Sequence, residues 1–437
     1  MCGIGPGSRT RPTRASPCPW TRRDFSRSSR IACCAARGPE RDSLSDIWSA
    51  AYGFVTSLTL TYAVVACFFV VGLFRLRRRR APAPANADLP HVSIVVAARN
   101  EAENVDACLP ALLAQDYPQD RYEVIFVDDH SEDDTRARAE AYLDGAPHLR
   151  VLSLADLGDA DRTGKQHALD LGIRQSRGEI VAGTDADCVA PPSWLRALTS
   201  RFRADTGVVV GFSVLDARGD GGSAFVKLQS LELLGIFAAF AGGLAWRLAM
   251  GCTGNSLAYR RAAYEELGGF MKMGFTVAED NMFVQWVDRH TQWRIEVAHS
   301  ADSLVWTRPM PTYRAFLDQR LRWSSNSLEN RLSVVWFSVV AYGVNLLLPV
   351  AVLLALMGFG SLPWAVGLVA LKLLPEWALL ARGLSLFGRR DLLAYLPLLA
   401  PFHTSYVLLV GLAGLSGRSA WKGRSHQMQR KTFGPHP

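Results

Sequence analysis

The sequence predicts an α/β domain with a mainly parallel sheet, flanked on both sides by membrane-spanning helices. Short β-branched runs alternate with amphipathic helical stretches between residues 91 and about 210. Strands that are apolar throughout are typical of a parallel sheet covered on both faces. A charge-free run precedes this region, and further apolar segments follow it. The 437 residues, 49% hydrophobic and 20% charged, are too apolar for a disordered chain.

Four runs carry the strand pattern, and three stretches between them carry the helical pattern. The predicted strands are 92–98, 122–128, 149–154 and 179–185, and the predicted helices are 101–114, 132–143 and 165–175. After Met250 the sequence predicts a turn at 251–255, a short strand and a helix starting near Glu279. Ligands of parallel sheets bind at the carboxyl ends of the strands, so the acidic residues found there are the first candidates for a site.

Residues 47–74 carry no charge and are long enough for one transmembrane helix, because a hydrocarbon core of about 30 Å needs about 20 residues. Five Arg follow between Arg75 and Arg80. Under the positive-inside rule they place the N-terminus outside and the next domain in the cytoplasm. The chain is thus predicted to be an integral protein of the plasma (inner) membrane. Residues 75–90 are predicted to be a basic stop and linker, and residues 1–44 a disordered basic extension.

A C-terminal membrane region of two to three segments is predicted at 333–417, before a basic tail at 418–437. Three crossings from the cytoplasm would leave that tail outside, against the charge rule. Lys372, Glu376 and Arg382 interrupt the middle segment, and charges at that depth usually face protein or a cavity. We therefore expect the middle segment, 362–386, to be re-entrant or to line a polar path.

The net charge of +8 does not indicate a nucleic-acid partner. Residues 1–80 hold fourteen Arg against four acidic residues, and residues 418–437 hold five basic residues and no acidic one. The body between these ends is therefore acidic. The eight Cys form no C-x-x-C pair, so we interpret them as ordinary thiols in a reducing compartment.

Two acidic clusters end separate predicted strands. Asp128 and Asp129 end one strand, and Asp185 and Asp187 end another. A D-x-D at a strand end can hold Mg²⁺ or Mn²⁺ and still leave positions for a diphosphate, because these ions accept mixed carboxylate and phosphate ligands. Taken alone, such pairs are more often solvated loop ends.

Three further motifs have an ordinary structural explanation beside a chemical one. Lys165 opens a helix, where an ammonium can neutralise phosphate or simply lie at the surface. Glu279 and Asp280 open another helix, where carboxylates commonly act as caps. The run QRLRW at 319–323 is equally typical of a membrane-interface anchor.

In chain order these motifs are N-E, D-D, G-K, D-x-D, E-D and Q-x-x-R-W. That order resembles the membrane-embedded family 2 glycosyltransferases, the branch of the cellulose, chitin, hyaluronan and poly-N-acetylglucosamine synthases, over about residues 91–325. The resemblance implies a cytoplasmic GT-A nucleotide-sugar-binding domain at 91–330 and a divalent metal cofactor, Mg²⁺ or Mn²⁺.

The resemblance also implies roles for single residues. Nucleotide-sugar binding falls to Arg99, Glu101 with its neighbour Asn100, Asp128, Asp129, Lys165, Asp185, Gln319, Arg322 and Trp323. Asp185 and Asp187 match the metal ligands. Asp280 matches the general base of the T-E-D motif, with Glu279 beside it, although Ala278 stands where that motif has threonine. Cys252, Gly254 and Asn255 match the acceptor loop, with Thr253 inserted, and Trp323 matches a further acceptor contact.

The implied activity is inverting transfer of a sugar from a nucleotide-diphosphate sugar, expected to be a UDP-sugar, to a hydroxyl acceptor at the cytoplasmic membrane face. QRLRW and the membrane segments after it favour a processive β-polysaccharide synthase. The modest membrane region favours a single transfer to a lipid, such as a polyprenyl phosphate, a glycolipid or a carotenoid. The third alternative is a non-catalytic membrane subunit, which the occupied acidic motif positions disfavour.

Overall fold

The computed structural model describes residues 39–77, 89–157, 163–215, 222–274, 276, 278–324, 331–414, 418–421 and 424–427. The chain divides into two compact units, Met1–Phe54 and Val55–Pro437. The described residues of the first unit are helical from Pro39 onward. The second unit contains the sheet, and the architecture below refers to it.

The described part of the chain contains helices α1 to α13 and strands β1 to β11. The helices are α1 Pro39–Arg77, α2 Ala102–Leu113, α3 Thr135–Glu140, α4 Lys165–Gln175, α5 Trp194–Thr199, α6 Ala224–Leu244, α7 Arg261–Glu266, α8 Gly269–Met273, α9 Glu279–His290, α10 Tyr313–Ser324, α11 Leu332–Leu356, α12 Leu362–Leu386 and α13 Leu396–Gly414. The strands are β1 Val92–Ala98, β2 Tyr122–Asp128, β3 Leu149–Ser153, β4 Ile180–Gly183, β5 Thr206–Val210, β6 Phe212–Leu215, β7 Leu257–Arg260, β8 Arg294–Val297, β9 Leu304–Thr307, β10 Arg418–Trp421 and β11 Arg424–Gln427.

Seven strands form the central sheet in the order β3-β2-β1-β4-β7-β5-β8. β1 pairs in parallel with β2 and β4, and β2 pairs in parallel with β3. Only β7 runs antiparallel to its neighbours, β4 and β5. The register of β1 on β2 ends at Ala98 opposite Asp128, so the two strands deliver their following residues to one edge. The predicted α/β fold with a mainly parallel sheet is confirmed.

The local predictions differ in accuracy. β1, β2 and α4 have the predicted bounds, because buried β-branched runs and a helical period mark them without ambiguity. α3 begins only at Thr135, where the prediction began it at residue 132. The carboxylate of Asp133 accepts the backbone N–H of Thr135 at 3.0 Å, and such a local turn competes with helix.

Among the residues that the structure describes, five helices are long and apolar enough to cross a membrane by length and composition, although the structure contains no membrane. These candidate spans are Trp48–Leu76, Ala224–Leu244, Leu332–Leu356, Leu362–Leu386 and Arg390–Gly411. The second, which is α6, was not predicted. β5, which precedes α6 in the chain, and β7, which follows it, are neighbours in the central sheet. A single crossing by α6 would leave these two strands on opposite sides of a membrane, so their pairing argues against such a crossing.

The start of α1 and the C-terminal tail differ from the sequence prediction. α1 starts at Pro39, inside the stretch predicted to be disordered, because proline suits the first turn of a helix. Residues 1–38, the predicted linker at 78–88 and residues 428–437 lie outside the described part. Within the predicted basic tail, β10 and β11 pair as a short antiparallel hairpin.

The middle C-terminal segment, α12, is one continuous helix of 25 residues, so the prediction of a re-entrant segment is wrong. Its charges nevertheless face protein, as expected. Lys372 Nζ lies 2.8 Å from Glu376 Oε1, and the Tyr62 hydroxyl of α1 donates to the same oxygen at 2.5 Å. A helix can therefore keep both charges within the bundle because each has a partner there.

Candidate active site

The residues after β1 and β2 are tied to each other at the carboxyl edge of the sheet. Arg99 donates to the carbonyl of Asp129 at 3.3 Å and to Glu132 at 3.2 Å. Asn100 adopts a positive φ of 51°, and its side-chain oxygen accepts the N–H of Glu132 at 2.8 Å. The N-E loop and the D-D loop therefore form one surface.

The two carboxylates of the D-D pair are buried and have different surroundings. Asp129 accepts the backbone N–H of Gly164 at 2.9 and 3.0 Å, next to the start of α4. Oδ2 of Asp128 accepts the hydroxyl of Ser153 at 3.3 Å. Oδ1 of Asp128 is buried and contacts no hydrogen-bond partner among the residues described. An acceptor buried in this way is costly unless a ligand satisfies it.

Lys165 connects the ends of β4 and α9. Its Nζ lies 2.8 Å from Asp185 Oδ1 and 3.1 Å from Glu279 Oε1. Burial lowers the pKa of Lys165, but Asp185, Glu279 and Asp280 outweigh it and raise that pKa well above its ordinary value. The lysine is therefore a fixed cation among carboxylates.

The D-x-D carboxylates offer oxygen ligands at the rim. Ligand atoms of Asp185, Asp187 and Cys188 all lie within 4.8 Å of one another. Asp187 reaches solvent, yet desolvation by the surrounding protein, followed by the charges of Asp185 and Glu101, raises its pKa to about 6. Burial also raises the pKa of the Cys188 thiol, which donates to Asp187 at 3.4 Å. Two carboxylates beside a protonated thiol form a hard oxygen donor set, which suits Mg²⁺ or Mn²⁺.

Asp280 stands where the loop predicted to contact the acceptor, residues 252–255, approaches α9. A Cβ atom at Gly254 would lie 2.8 Å from Asp280 Oδ2, so only glycine leaves room for this carboxylate. Burial, and then the adjacent Glu279 charge, raises the pKa of Asp280 to about 7. A carboxylate with such a pKa can accept a proton near neutral pH. A narrow pocket lined by Lys165, Asp185, Gly254, Glu279 and Asp280 brings these groups together.

The acceptor loop itself is held from two sides. Thr184, which follows β4, donates to the carbonyl of Asn255 at 2.9 Å, and the amide of Asn255 donates to Ser213 of β6 at 3.1 Å. Cys252 is buried, and burial followed by the Asp280 and Glu279 charges raises the pKa of its thiol. The loop therefore borders the predicted base, although nothing in the sequence spacing reveals this contact.

The Q-x-x-R-W motif lies on α10. Burial lowers the pKa of Arg322, while the charges of Asp185 and Asp187 act in the opposite direction. Trp323 is 44% exposed, and Gln319 accepts a hydrogen bond from Arg320 at 2.5 Å. The pKa of Arg322 is thus sensitive to the D-x-D charges, and the Trp323 ring is open to solvent.

The sequence analysis did not single out Gln229, Glu232 or Tyr406, which are buried and polar or charged near α10. The available signal was Glu232, the single carboxylate within the largely apolar run that forms α6.

Residues 93–268 match the family model described as Glycosyl transferase family 2. Together with the fold and the rim of acidic motifs, this match means that the chain contains a family 2 glycosyltransferase domain. The resemblance to family 2 glycosyltransferases, predicted from the order of the motifs, is confirmed for this domain. The fold of the domain is of the GT-A type.

Similar proteins carry related names. Glycosyltransferase AglE of Haloferax volcanii is 36% identical over 143 residues, which are 32% of this chain and 45% of that protein. Beta-monoglucosyldiacylglycerol synthase of Synechocystis is 28% identical over 247 residues, 56% of this chain and 49% of that protein. The chain thus spans about half the length of these two relatives.

A solved structure, the mannosyltransferase PcManGT from Pyrobaculum calidifontis in complex with GDP-Man and Mn²⁺, superposes with a TM-score of 0.52. It is 21% identical, and the match covers 84% of this chain and 99% of that one. This likeness supports the fold.

Proposed function

We propose that the protein is an inverting glycosyltransferase that moves a sugar from a UDP-sugar to a hydroxyl acceptor at the cytoplasmic face of a membrane. The observation that carries the proposal is the convergence of Lys165, Asp185 and Asp280 in one pocket at the carboxyl edge of the sheet. Each member of this pocket has a separate task in the reaction.

The D-D pair supports nucleotide binding. Oδ1 of Asp128 is a buried acceptor that a donor group of a nucleobase would satisfy, and Asp129 organises the start of α4 through Gly164. Lys165, at the beginning of α4, supplies positive charge for a diphosphate, and the helix N-terminus adds to it.

The oxygen donors of Asp185 and Asp187 would hold a divalent ion. When bound, such an ion supplies Lewis-acid charge that offsets negative charge on a departing diphosphate. Arg322, whose charge reaches both carboxylates, contributes further positive charge from α10. Asp187→Ala should weaken UDP binding in the presence of Mn²⁺, and an unchanged affinity would count against this assignment.

Asp280 is the proposed general base. Its carboxylate accepts the proton of the acceptor hydroxyl while the hydroxyl oxygen forms a bond to the anomeric carbon. The bond from that carbon to the nucleoside diphosphate breaks, and its electron pair leaves with the diphosphate. A direct displacement inverts the anomeric centre, so an α-linked donor gives a β-linked product.

The acceptor is proposed to be a lipid that receives one sugar. The similarity to a glucosyldiacylglycerol synthase favours it. The candidate membrane helices also pack closely, since Tyr62, Val340, Val344, Leu348 and Leu368 are buried in one cluster. Side chains thus fill the space between α1, α11 and α12, which favours a single transfer over the passage of a polymer between these helices. The second candidate is a processive β-polysaccharide synthase, which the QRLRW motif favours.

The proposed orientation has the domain and the basic tail on the cytoplasmic side. α11 begins at the domain, where the N–H of Arg331 donates to Gln285 of α9 at 3.1 Å. α13 contacts α11 at Asn345, to which Thr404 donates at 3.0 Å. Farther along α13, Gly411 lies against Tyr342, which is nearer the start of α11. From Thr404 to Gly411, the contacts of α13 therefore move back toward the start of α11, where α11 meets the domain.

Three crossings by α1, α11 and α12, with α13 lying against α11 without crossing, would satisfy the positive-inside rule at both ends. The exception to the crossing count is then the last apolar segment and not the middle one. Epitope tags at the C-terminus and after Gly360 test this in intact cells. The C-terminal tag should be reached only after permeabilisation and the internal tag before it; the reverse result would overturn this topology.

The activity is tested on the purified full chain in lipid nanodiscs. Radiolabelled UDP-glucose, UDP-N-acetylglucosamine and GDP-mannose are each added with Mn²⁺, Mg²⁺ or EDTA. A labelled lipid supports single transfer, and high-mass polymer supports the processive alternative. No transfer from any donor, together with no Mn²⁺-dependent UDP binding by calorimetry, would overturn the proposed function.

A further inference from the structure

A carboxylate and a guanidinium are buried together between α6 and α10. Glu232 is 3% exposed and Arg320 is 6% exposed. Nε of Arg320 donates to Oε1 of Glu232 at 3.2 Å, and a second guanidinium nitrogen donates to Oε2. Tyr406 of α13 donates its hydroxyl to Oε1 of the same carboxylate at 2.5 Å. The balanced pair therefore joins three helices at one point.

Arg320 also contacts two residues of the Q-x-x-R-W motif. Its remaining terminal nitrogen donates to Gln319 Oε1 at 2.5 Å, and its guanidinium lies 4.2 Å from the centre of the Trp323 ring. A planar guanidinium that bonds a carboxylate through two nitrogens has a fixed orientation. The orientation of Arg320 is thereby passed on to Gln319 and Trp323.

α6 fixes the chain just before α10 as well. The amide of Gln229 donates to the carbonyl of Met310 at 3.0 Å, and the N–H of Met310 donates back to Gln229 at 3.0 Å. Gln229 and Glu232 lie three residues apart, so they share one face of α6. This face holds α10 both at its approach and along its length.

We propose that Glu232, Arg320 and Tyr406 are positioning residues for the acceptor end of the active site. They hold the side chains of Gln319 and Trp323 in the geometry that transfer requires. The inference rests on the proposed transfer reaction and adds a specific supporting network to it. A displacement of about 1 Å in the side chains of an active site can lower the rate about 100-fold.

The test separates positioning from folding with four variants. Arg320→Lys keeps the charge and removes the planar fork, Tyr406→Phe removes one hydroxyl, and Glu232→Gln alone neutralises the carboxylate. The double variant Glu232→Gln/Arg320→Gln replaces the ion pair with a neutral pair. We expect Arg320→Lys to lower kcat/KM for the acceptor by about 10- to 100-fold. The double variant should regain thermal stability relative to Glu232→Gln alone, but not transfer.

A matched control is available in the Arg331–Asp288 ion pair, which joins α9 to the start of α11 and bonds neither motif residue. Its neutral double variant, Asp288→Asn/Arg331→Gln, should keep wild-type transfer. If the Glu232/Arg320 double variant and Arg320→Lys both transfer at the wild-type rate, the pair is merely structural and the inference is wrong.

A second measurement does not depend on turnover. Acrylamide quenching, taken as the difference between the chain and its Trp323→Phe variant, reports the accessibility of Trp323. Arg320→Lys must increase that accessibility if Arg320 holds the ring, and an unchanged value overturns the inference. A wild-type chain that transfers no sugar would instead contradict the proposed function, so the two failures are distinct.

Discussion

Two groups of charges in the described part of the molecule are balanced differently. At the sheet edge, Asp185, Asp187, Glu279 and Asp280 gather around Lys165, so carboxylates exceed the lysine, and the pKa of Asp280 rises to about 7. Between α6 and α10, Glu232 meets Arg320 one to one. An excess of carboxylate is expensive without a cation and is typical of a ligand site, whereas a balanced pair is already satisfied. Acidic and basic side chains thus form a candidate ligand site in one place and a structural contact in the other.

The largest effect should follow from removing the base at the unbalanced site. Asp280→Asn should reduce transfer by about 10²- to 10⁴-fold, the usual contribution of a general base. UDP binding should remain within error, because the D-D pair and Lys165 are unchanged. Steady-state kinetics and calorimetry check both values, with the exposed Asp120→Asn as the matched control. Wild-type turnover in Asp280→Asn would show that another group takes the proton.

Breaking the balanced pair, Glu232 and Arg320, should lower the stability of the fold. Glu232→Gln leaves the Arg320 charge buried without its carboxylate and should destabilise the fold by about 3–5 kcal/mol. Thermal unfolding in detergent measures the loss. A variant as stable as the wild type would mean that water or another acidic group already compensates Arg320.

The unbalanced site should respond in the opposite sense. The pKa of Asp280 is raised to about 7 from an ordinary value near 3.8, so the folded chain penalises its charged form. Stability is therefore lost as the pH rises from about 4 to about 7. Asp280→Asn removes this penalty and should stabilise the protein by about 2–4 kcal/mol at pH 8 and by almost nothing at pH 4. Unfolding at the two pH values tests this, and an equal gain at both would contradict the linkage.

The smallest effect is expected at an exposed pair. Glu140 and Arg136 lie 2.7 Å apart on α3, and both are solvent-accessible. Glu140→Gln should change stability by less than about 1 kcal/mol and leave transfer unchanged. A loss as large as that of Glu232→Gln would mean that burial does not separate the two kinds of pair.

The sequence predicted those features that depend on local pattern. β1 and β2 are apolar runs that end at acidic motifs, so both the strands and the residues at their ends followed from periodicity and order. α6 escaped prediction because its apolar residues have neither a helical stripe nor flanking charges in the positive-inside pattern. The approach of Gly254 to Asp280 and the contact of Tyr406 with Glu232 join parts of the chain that are far apart in sequence. A single sequence does not give the distance between such residues. The assigned roles of the site residues remain predictions.

The path of α13 was equally hidden. Hydropathy measures whether a segment prefers lipid, but not whether it runs along or across the bilayer. In the proposed topology, the contacts of Thr404 and Gly411 with α11 are the evidence for that direction. The charges of Lys372 and Glu376 pair with each other, so α12 needs no break to accommodate them.

One contact between helices has a consequence for the whole molecule. Gly72 of α1 and Gly242 of α6 lie backbone to backbone, with no room for a Cβ atom on either. In the proposed orientation α1 is a membrane anchor, and α6 is part of the catalytic domain. Their contact then acts as a stop that sets the height of the active site above the lipid headgroups. The absence of a Cβ atom at Gly72 and at Gly242 would thus set the distance between the active site and an acceptor in the membrane.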